Sequence, residues 1–244
     1  MKRYGLIGKR LDYSFSKSFF TEKFLQDEID AVYENIELLD NDQLRLFCQE
    51  NIHDFSGVNV TIPYKEDVIQ FLDELSTSAS AIGAVNTIHV LNGKIIGHNT
   101  DAYGFQKSIK KFLRKVKEKA LLLGTGGASK AVEYVLKGLG IEVFYLSRTP
   151  EGEHQFSYEQ ANEMMINTFK LIVNCTPLGT YPNLDEQPPI PVECVGEDHL
   201  VIDLIYNPEQ TQLLKIAKEN GADTMNGLSM LQHQALKAWE IWQS

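Results

Sequence analysis

Cysteine is scarce in this chain. Three residues, Cys48, Cys175 and Cys194, are scattered through 244 positions with no C-x-x-C pair. That pattern excludes a disulfide framework and a thiolate metal site, and it fits a reducing cytoplasm. The first residues, MKRYGLIGKR, lack an apolar core of signal-peptide length, and no apolar run approaches the length of a membrane span. Positive charge is also short, with 23 Lys and Arg against 33 Asp and Glu for a net charge of −10. A balance this acidic disfavours non-specific nucleic-acid binding. The expectation is a soluble cytoplasmic protein with no metal, nucleic-acid or membrane partner.

One segment runs against the acidic background. From Lys107 to Lys119, seven Lys and Arg stand against one Glu, giving +6 and leaving −16 for the rest. Such a run is either the solvated face of a helix and its exit loop or an electrostatic aid for an anionic ligand.

What is present is an ordinary globular composition, 43% hydrophobic and 23% charged, ample for a sizeable core. Strand-like and helix-like segments alternate. Tyr4 to Gly8 reads as a buried strand, FFTEKFLQDEI as a helix, AVYENIEL as a strand, and NDQLRLFCQEN as a helix opened by an Asn/Asp cap. FSGVNVTI follows as a strand, KEDVIQFLDEL as a helix, and AVNTIHVLNGKIIGHN as two strands joined at Asn92-Gly93, a hairpin-turn signal. A basic helix from about Ala102 to Lys117 leads to a second series: strand KALLLG, a glycine turn, a helix from Lys130 to Leu139, and the strands EVFYLS, KLIVNCT and HLVIDLIY. A helix ending at Gly221 and an amphipathic helix from about Leu228 complete the chain. The fold class is therefore α/β, in two α/β domains with a cleft between them.

The second series carries a nucleotide signature. ALLLGTGGASKAV is an apolar strand, then Gly124-x-Gly126-Gly127-Ala128-Ser129, then a helix. The first glycine permits the tight turn, and the next two let backbone approach a pyrophosphate at the helix N-terminus. Ser129 stands where the common fingerprint has a third glycine. The following strand ends in Ser147-Arg148-Thr149 instead of the acid that would accept from an NAD ribose hydroxyl. A guanidinium beside two hydroxyls suits a 2′-phosphate, so NADP is the expected cofactor and hydride transfer the expected chemistry.

The first series holds three polar clusters. In YSFSKS, the hydroxyls of Ser14 and Ser16 either cap the next helix or donate to a ligand. In NVTIPYK, Asn59 and Thr61 share one strand face, and Lys65 stands at the start of the expected helix. A cation is disfavoured there by the helix dipole, which suits acid–base work, although a solvated surface lysine is the plain alternative. The pair Asn-Thr occurs at Asn86-Thr87 and again at Asn99-Thr100, followed by Asp101, which is either the partner of Lys65 or a helix cap.

In order along the chain, SFSKS, NVTIPYK, IGAVNTI, GHNTDAYGF, LGTGGASKA, LSRT, VNCTPLGTYP, DLIYNP and NGLSMLQHQA together resemble the shikimate dehydrogenase family. The resemblance implies NADPH-dependent reduction of 3-dehydroshikimate to shikimate, on the route to chorismate and the aromatic amino acids. It further implies that Ser14 and Ser16 bind the substrate carboxylate, that Thr61, Asn86, Asp101 and Gln234 bind ring hydroxyls, and that Lys65 is catalytic with Asp101 tuning it. Tyr206 is implied as an active-site contact and Gly227 as the glycine beside the nicotinamide. On this basis residues 1–101 plus 226–244 form the substrate domain, and residues 102–225 a Rossmann-type NADP domain that includes Gly124, Gly126, Gly127, Ala128, Ser147, Arg148 and Thr149. Departures from the family pattern are Arg10, Lys17, His98 and Ala102, and a short stretch between Arg148 and Lys170. The rival readings are a quinate/shikimate dehydrogenase using NAD and a non-catalytic dinucleotide-binding protein.

Overall fold

The computed structural model describes residues 1–11, 14–112 and 118–244. The middle of the basic run, residues 113–117, therefore lies outside the described residues. Chain contacts divide the molecule into a first unit, Met1–Thr100 with Gln234–Ser244, and a second unit, Asp101–His233.

The first unit begins with β1 (Lys2–Gly8), α1 (Phe15–Gln26), β2 (Ala31–Glu37), α2 (Asn41–Glu50) and β3 (Gly57–Val60). It continues with β4 (Glu74–Leu75), α3 (Thr77–Ile82), β5 (Thr87–Leu91) and β6 (Lys94–His98). Its six-stranded sheet has the order β2-β1-β3-β5-β6-β4. β1 lies parallel to β2 and β3, whereas β5 runs antiparallel to β3 and β6. The β5–β6 turn is the expected one: Leu91 pairs with Lys94, and both Asn92 (φ 52°) and Gly93 (φ 79°) occupy positive φ, the requirement of a type I′ turn.

Both faces of this sheet are covered. Ile7, Val58, Val60 and Ile88 enter one apolar cluster with Leu44, Phe47 and Ile52. The alternate residues Tyr4, Leu6 and Tyr33 enter another with Phe20, Phe24, Ala235, Ala238 and Trp242. A strand buried on both faces alternates between two cores instead of between core and water. That alternation turns Asn59, between Val58 and Val60, toward the aromatic side.

Two expectations need correction here. KEDVIQFLDEL forms no α-helix: residues 62–66 are turn, Asp67–Phe71 is a short 3₁₀ segment, and Glu74–Leu75 is the edge strand β4. The helix dipole invoked for Lys65 is thus not available, because a 3₁₀ stretch this short aligns too few peptide groups. The cap of α2 is Asp40, one residue before the expected pair; its side chain accepts from the Gln43 N–H.

The second unit contains α4 (Asp101–Ile109), β7 (Lys119–Leu123), α5 (Gly127–Gly138), β8 (Glu142–Ser147), β9 (Gln155–Ser157) and α6 (Glu163–Thr168). After these come β10 (Leu171–Asn174), β11 (Leu200–Asp203), α7 (Gln212–Glu219), β12 (Asp223–Met225) and α8 (Leu228–Trp242). Helix α8 belongs to the second unit at its start and to the first from Gln234 onward. The six strands are all parallel in the order β12-β11-β10-β7-β8-β9. Counted within the unit this is 3-2-1-4-5-6, the doubly wound dinucleotide-binding order, whose ligand crevice lies where β7 and β10 diverge. The short strands β9 and β12 were not visible in the sequence pattern; each adds three residues to an edge. Among the described residues, no helix is long and apolar enough to cross a membrane.

Candidate active site

In the second unit the glycine turn meets the switch point. Gly124 follows β7 with φ at 95°, and a Cβ there would lie 3.0 Å from Thr176, just beyond β10. Gly126 occupies the N-cap of α5 with no side-chain cap, and a Cβ on it would meet no atom within 4 Å. The N–H groups of Gly127 and Ala128 thus head a 12-residue helix with an open approach, the arrangement that suits an anion. Ser129 is fully buried and its hydroxyl donates to the Gly126 carbonyl at 2.6 Å. It braces the turn from behind, which explains a serine where the fingerprint has glycine. At the end of β8, Ser147 is buried and its oxygen accepts from the Thr149 N–H at 3.2 Å, while Arg148 and Thr149 are exposed. These groups fit a dinucleotide carrying a 2′-phosphate.

A second cluster at the same sheet edge was not anticipated from the sequence. Asp203, the last residue of β11, is fully buried. It accepts from Asn174 Nδ2 at 3.0 Å, from the Ile205 N–H at 3.1 Å and from Thr211 Oγ1 at 2.7 Å. Asn174 Oδ1 in turn accepts from the Thr176 N–H and hydroxyl. Burial pushes the Asp203 carboxyl up to about 6 against the opposing effect of these hydrogen bonds. The neighbouring Cys175 thiol is pushed well above its usual range by burial and by Asp203, so it is not a nucleophile. Asp203 thereby ties the loop after β10 to the segment that presents Tyr206, which is half-buried. Gly227 has its own structural reason: a Cβ there would collide with the Leu204 carbonyl, and its N–H donates to Ile205 O at 2.9 Å.

In the first unit, Ser14 caps α1, accepting from the Lys17 N–H at 3.2 Å. Ser16, within the first turn, is buried, and so is Tyr33, whose phenol burial makes less acidic. β3 ends at Val60, although the Thr61 N–H still donates to Ile7 O at 2.9 Å. Lys65 is half-buried and its carbonyl accepts from the Val85 N–H at 2.7 Å, which anchors its backbone one residue from Asn86. Asp101 is buried at the first position of α4, directly after Thr100.

Asn86 and Gln234, 148 positions apart in sequence, are brought together. Asn86 Nδ2 donates to Thr100 Oγ1 at 2.9 Å and to Gln234 Oε1 at 3.3 Å, and Asn86 Oδ1 accepts from the Thr100 N–H at 2.7 Å. Behind them, Asn59 Nδ2 donates to Asn86 O and to Thr87 Oγ1, and Asn59 Oδ1 accepts from Tyr33 at 2.7 Å. The two Asn-Thr pairs thus converge through their threonines, whose hydroxyls lie 3.1 Å apart. Tyr33 gave no sequence signal, since nothing in its neighbourhood distinguishes a core tyrosine with a polar tip from any other. Among the described residues, no group of three or more His, Cys, Asp or Glu side chains is placed to hold a metal ion.

Comparison with known proteins bears on this arrangement. Residues 6–88 match the family description "Shikimate dehydrogenase substrate binding domain". The chain is 41% identical to the shikimate dehydrogenase (NADP(+)) of Clostridium botulinum strain Hall, over 98% of this chain and 95% of that protein. Among solved structures, it resembles the Thermus thermophilus shikimate 5-dehydrogenase in complex with NADP(H) and shikimate. There the TM-score is 0.82 at 32% identity, covering 99% of this chain and 93% of that one. It also resembles the Corynebacterium glutamicum quinate dehydrogenase in complex with NAD, with a TM-score of 0.84 at 29% identity, covering 99% and 93%. The chain belongs to the shikimate dehydrogenase family.

Proposed function

We propose that this protein is an NADP-dependent shikimate dehydrogenase, catalysing the reversible reduction of 3-dehydroshikimate to shikimate for aromatic amino acid biosynthesis. The near full-length match to an NADP-dependent shikimate dehydrogenase carries this reading. Residues 1–101 and 226–244 serve as the substrate domain and residues 102–225 as the NADP domain. Gly124, Gly126, Gly127 and Ala128 hold the pyrophosphate, and Ser147, Arg148 and Thr149 the 2′-phosphate, with Gly227 beside the nicotinamide. NADPH supplies hydride to the substrate carbonyl carbon.

The protein's own side chains supply recognition and proton handling. Ser14 and Ser16 donate to the substrate carboxylate; Thr61, Asn86, Asp101 and Gln234 recognise ring oxygens; Tyr206 adds a further contact. Lys65 gives a proton to the oxygen that gains charge as the carbonyl is reduced and takes it back in the oxidation direction, with Asp101 orienting the amine. The three free cysteines accord with a cytoplasmic enzyme, and we assign it as a monomer or homodimer.

The likeness to an NAD-bound quinate dehydrogenase supports a second reading, quinate oxidation with NAD. Arg148 stands where an acid would accept from the NAD ribose, which favours the first. Absorbance at the reduced-cofactor band, with shikimate or quinate against NADP or NAD, separates them. The shikimate–NADP pair should give the highest kcat/KM, and preference for quinate or NAD would overturn the assignment. Lys65→Ala should cut kcat by about 10²–10⁴ and leave shikimate affinity within about tenfold. Unchanged turnover in that variant would remove Lys65 from the chemistry.

A further inference from the structure

The cluster around Asn86 has a polarity that its atoms alone determine. A carboxamide can present either end to a neighbour, so its orientation must be read from groups that only donate or only accept. Two backbone groups do this. The Thr100 N–H only donates, and it lies 2.7 Å from one end of the Asn86 carboxamide, which must therefore be oxygen. The other end, Nδ2, then faces Thr100 Oγ1 at 2.9 Å and the near atom of Gln234 at 3.3 Å. A donor opposite that atom requires it to be Oε1, which also lies 3.4 Å from the Thr100 hydroxyl, a group whose one proton can go there or to Asn86 Oδ1 at 3.2 Å.

The second anchor is the Asn86 carbonyl, which only accepts and receives Asn59 Nδ2 at 3.2 Å. Asn59 Oδ1 consequently accepts from Tyr33, and Thr87 Oγ1 accepts from Asn59 Nδ2 at 3.1 Å. The Thr87 proton is left for Asn86 Oδ1 at 3.2 Å, which reinforces the same orientation. Thr87 and Thr100 are 0% and 1% exposed, so water does not compete for these bonds.

The consequence falls on Gln234. Its Oε1 is engaged, while its Nε2 makes no hydrogen bond to any described residue. Reversing the amide would set two N–H₂ groups against each other, at the cost of a buried unsatisfied donor.

We infer that Thr87 and Thr100 are positioning residues that lock the Asn86 carboxamide so that Gln234 presents its N–H₂ to the substrate. This position accordingly recognises an oxygen acting as acceptor and discriminates against a group that only donates. The inference rests on the reading above that Gln234 faces the substrate ring.

Gln234→Glu replaces the outward donor with a carboxylate oxygen. At pH 8 its KM for shikimate should rise on the order of 10- to 100-fold, and acidification that protonates the new carboxyl should reverse the rise, with circular dichroism confirming the fold. A KM at pH 8 within about threefold of the parent would reverse the polarity and overturn the inference. Thr100→Val should raise the KM for shikimate about fivefold and leave the KM for NADP within about twofold, and Thr100→Ser should restore it. An unchanged KM in Thr100→Val, or no rescue by serine, would remove the positioning role. A readout independent of turnover is the Gln234 side-chain N–H₂ resonance, identified by its loss in Gln234→Glu. Shikimate should shift that signal, and an unmoved signal in a protein that turns over shikimate would count against the inference. If the parent protein neither binds nor oxidises shikimate, the functional assignment falls and takes the inference with it. If it does both and Gln234→Glu behaves as the parent, only the inference falls.

Discussion

Asp203 offers a quantitative test of how the edge of the second sheet is held together. Its carboxyl is completely buried, and burial raises it from 3.8 to about 6 even though three donors oppose the shift. A raised carboxyl means that the native state binds the proton more tightly than the unfolded chain does. Below 3.8 both states are protonated and the group contributes nothing to the pH dependence. Between 3.8 and about 6 the native state holds more protons, so stability falls as pH rises; above 6 the loss is complete and constant. The shift of about two units corresponds to about 3 kcal/mol. Asp203→Asn removes this dependence and keeps the acceptor that Asn174 Nδ2 and the Ile205 N–H require, while the Thr211 hydroxyl rotates to accept. Urea unfolding at intervals from about pH 4 to 8 gives both curves. Far-ultraviolet circular dichroism is the appropriate probe, since the two tryptophans, Trp239 and Trp242, lie in the first unit. The parent minus variant difference should move in favour of the variant by about 2–3 kcal/mol from about pH 4 to 7. Parallel curves would mean that Asp203 ionises normally and that the three hydrogen bonds outweigh burial.

Two further outcomes follow from single contacts. Arg148→Ala should raise the KM for NADPH by about 10- to 100-fold, the scale of a lost charge-assisted hydrogen bond, and leave that for NADH within about threefold; an equal effect on both cofactors would show that Arg148 does not read the phosphate. Gly57→Ala should destabilise the fold by about 1–3 kcal/mol in denaturant unfolding followed by tryptophan fluorescence. The added methyl collides with the Trp242 indole, whose Nε1 donates to Ile88 O at 2.8 Å. An unaltered midpoint would show that the indole retreats without loss.

Local signals were strong where one residue type has one physical role. The Asn92-Gly93 turn was legible because two successive positive φ values restrict the choice of residues. The Gly124–Gly127 turn was legible because only a strand, a glycine run and a helix in that order expose helix N–H groups to a phosphate. The segment after Lys65 misled for a related reason: the apolar spacing of KEDVIQFLDEL fits a helix, but Val68 is drawn into the core and the Asp73 N–H pairs with Ile95 O. Tertiary packing outweighed propensity over a few residues.

The sequence by itself determined the α/β class and the nucleotide turn and pointed to NADP, whereas the roles proposed for most substrate-site residues came from the family resemblance of their motifs. These properties depend on side-chain chemistry and short-range order, and both are written in consecutive positions. Only the tertiary structure decided which polar groups meet. Asn86 finds Gln234 across 148 positions, Asn59 turns toward Tyr33 because its strand is buried on both faces, and Asp203 gathers Asn174 and Thr211. Hydrogen-bond polarity depends on which donors and acceptors lie within about 3 Å, and no spacing along the chain records that distance.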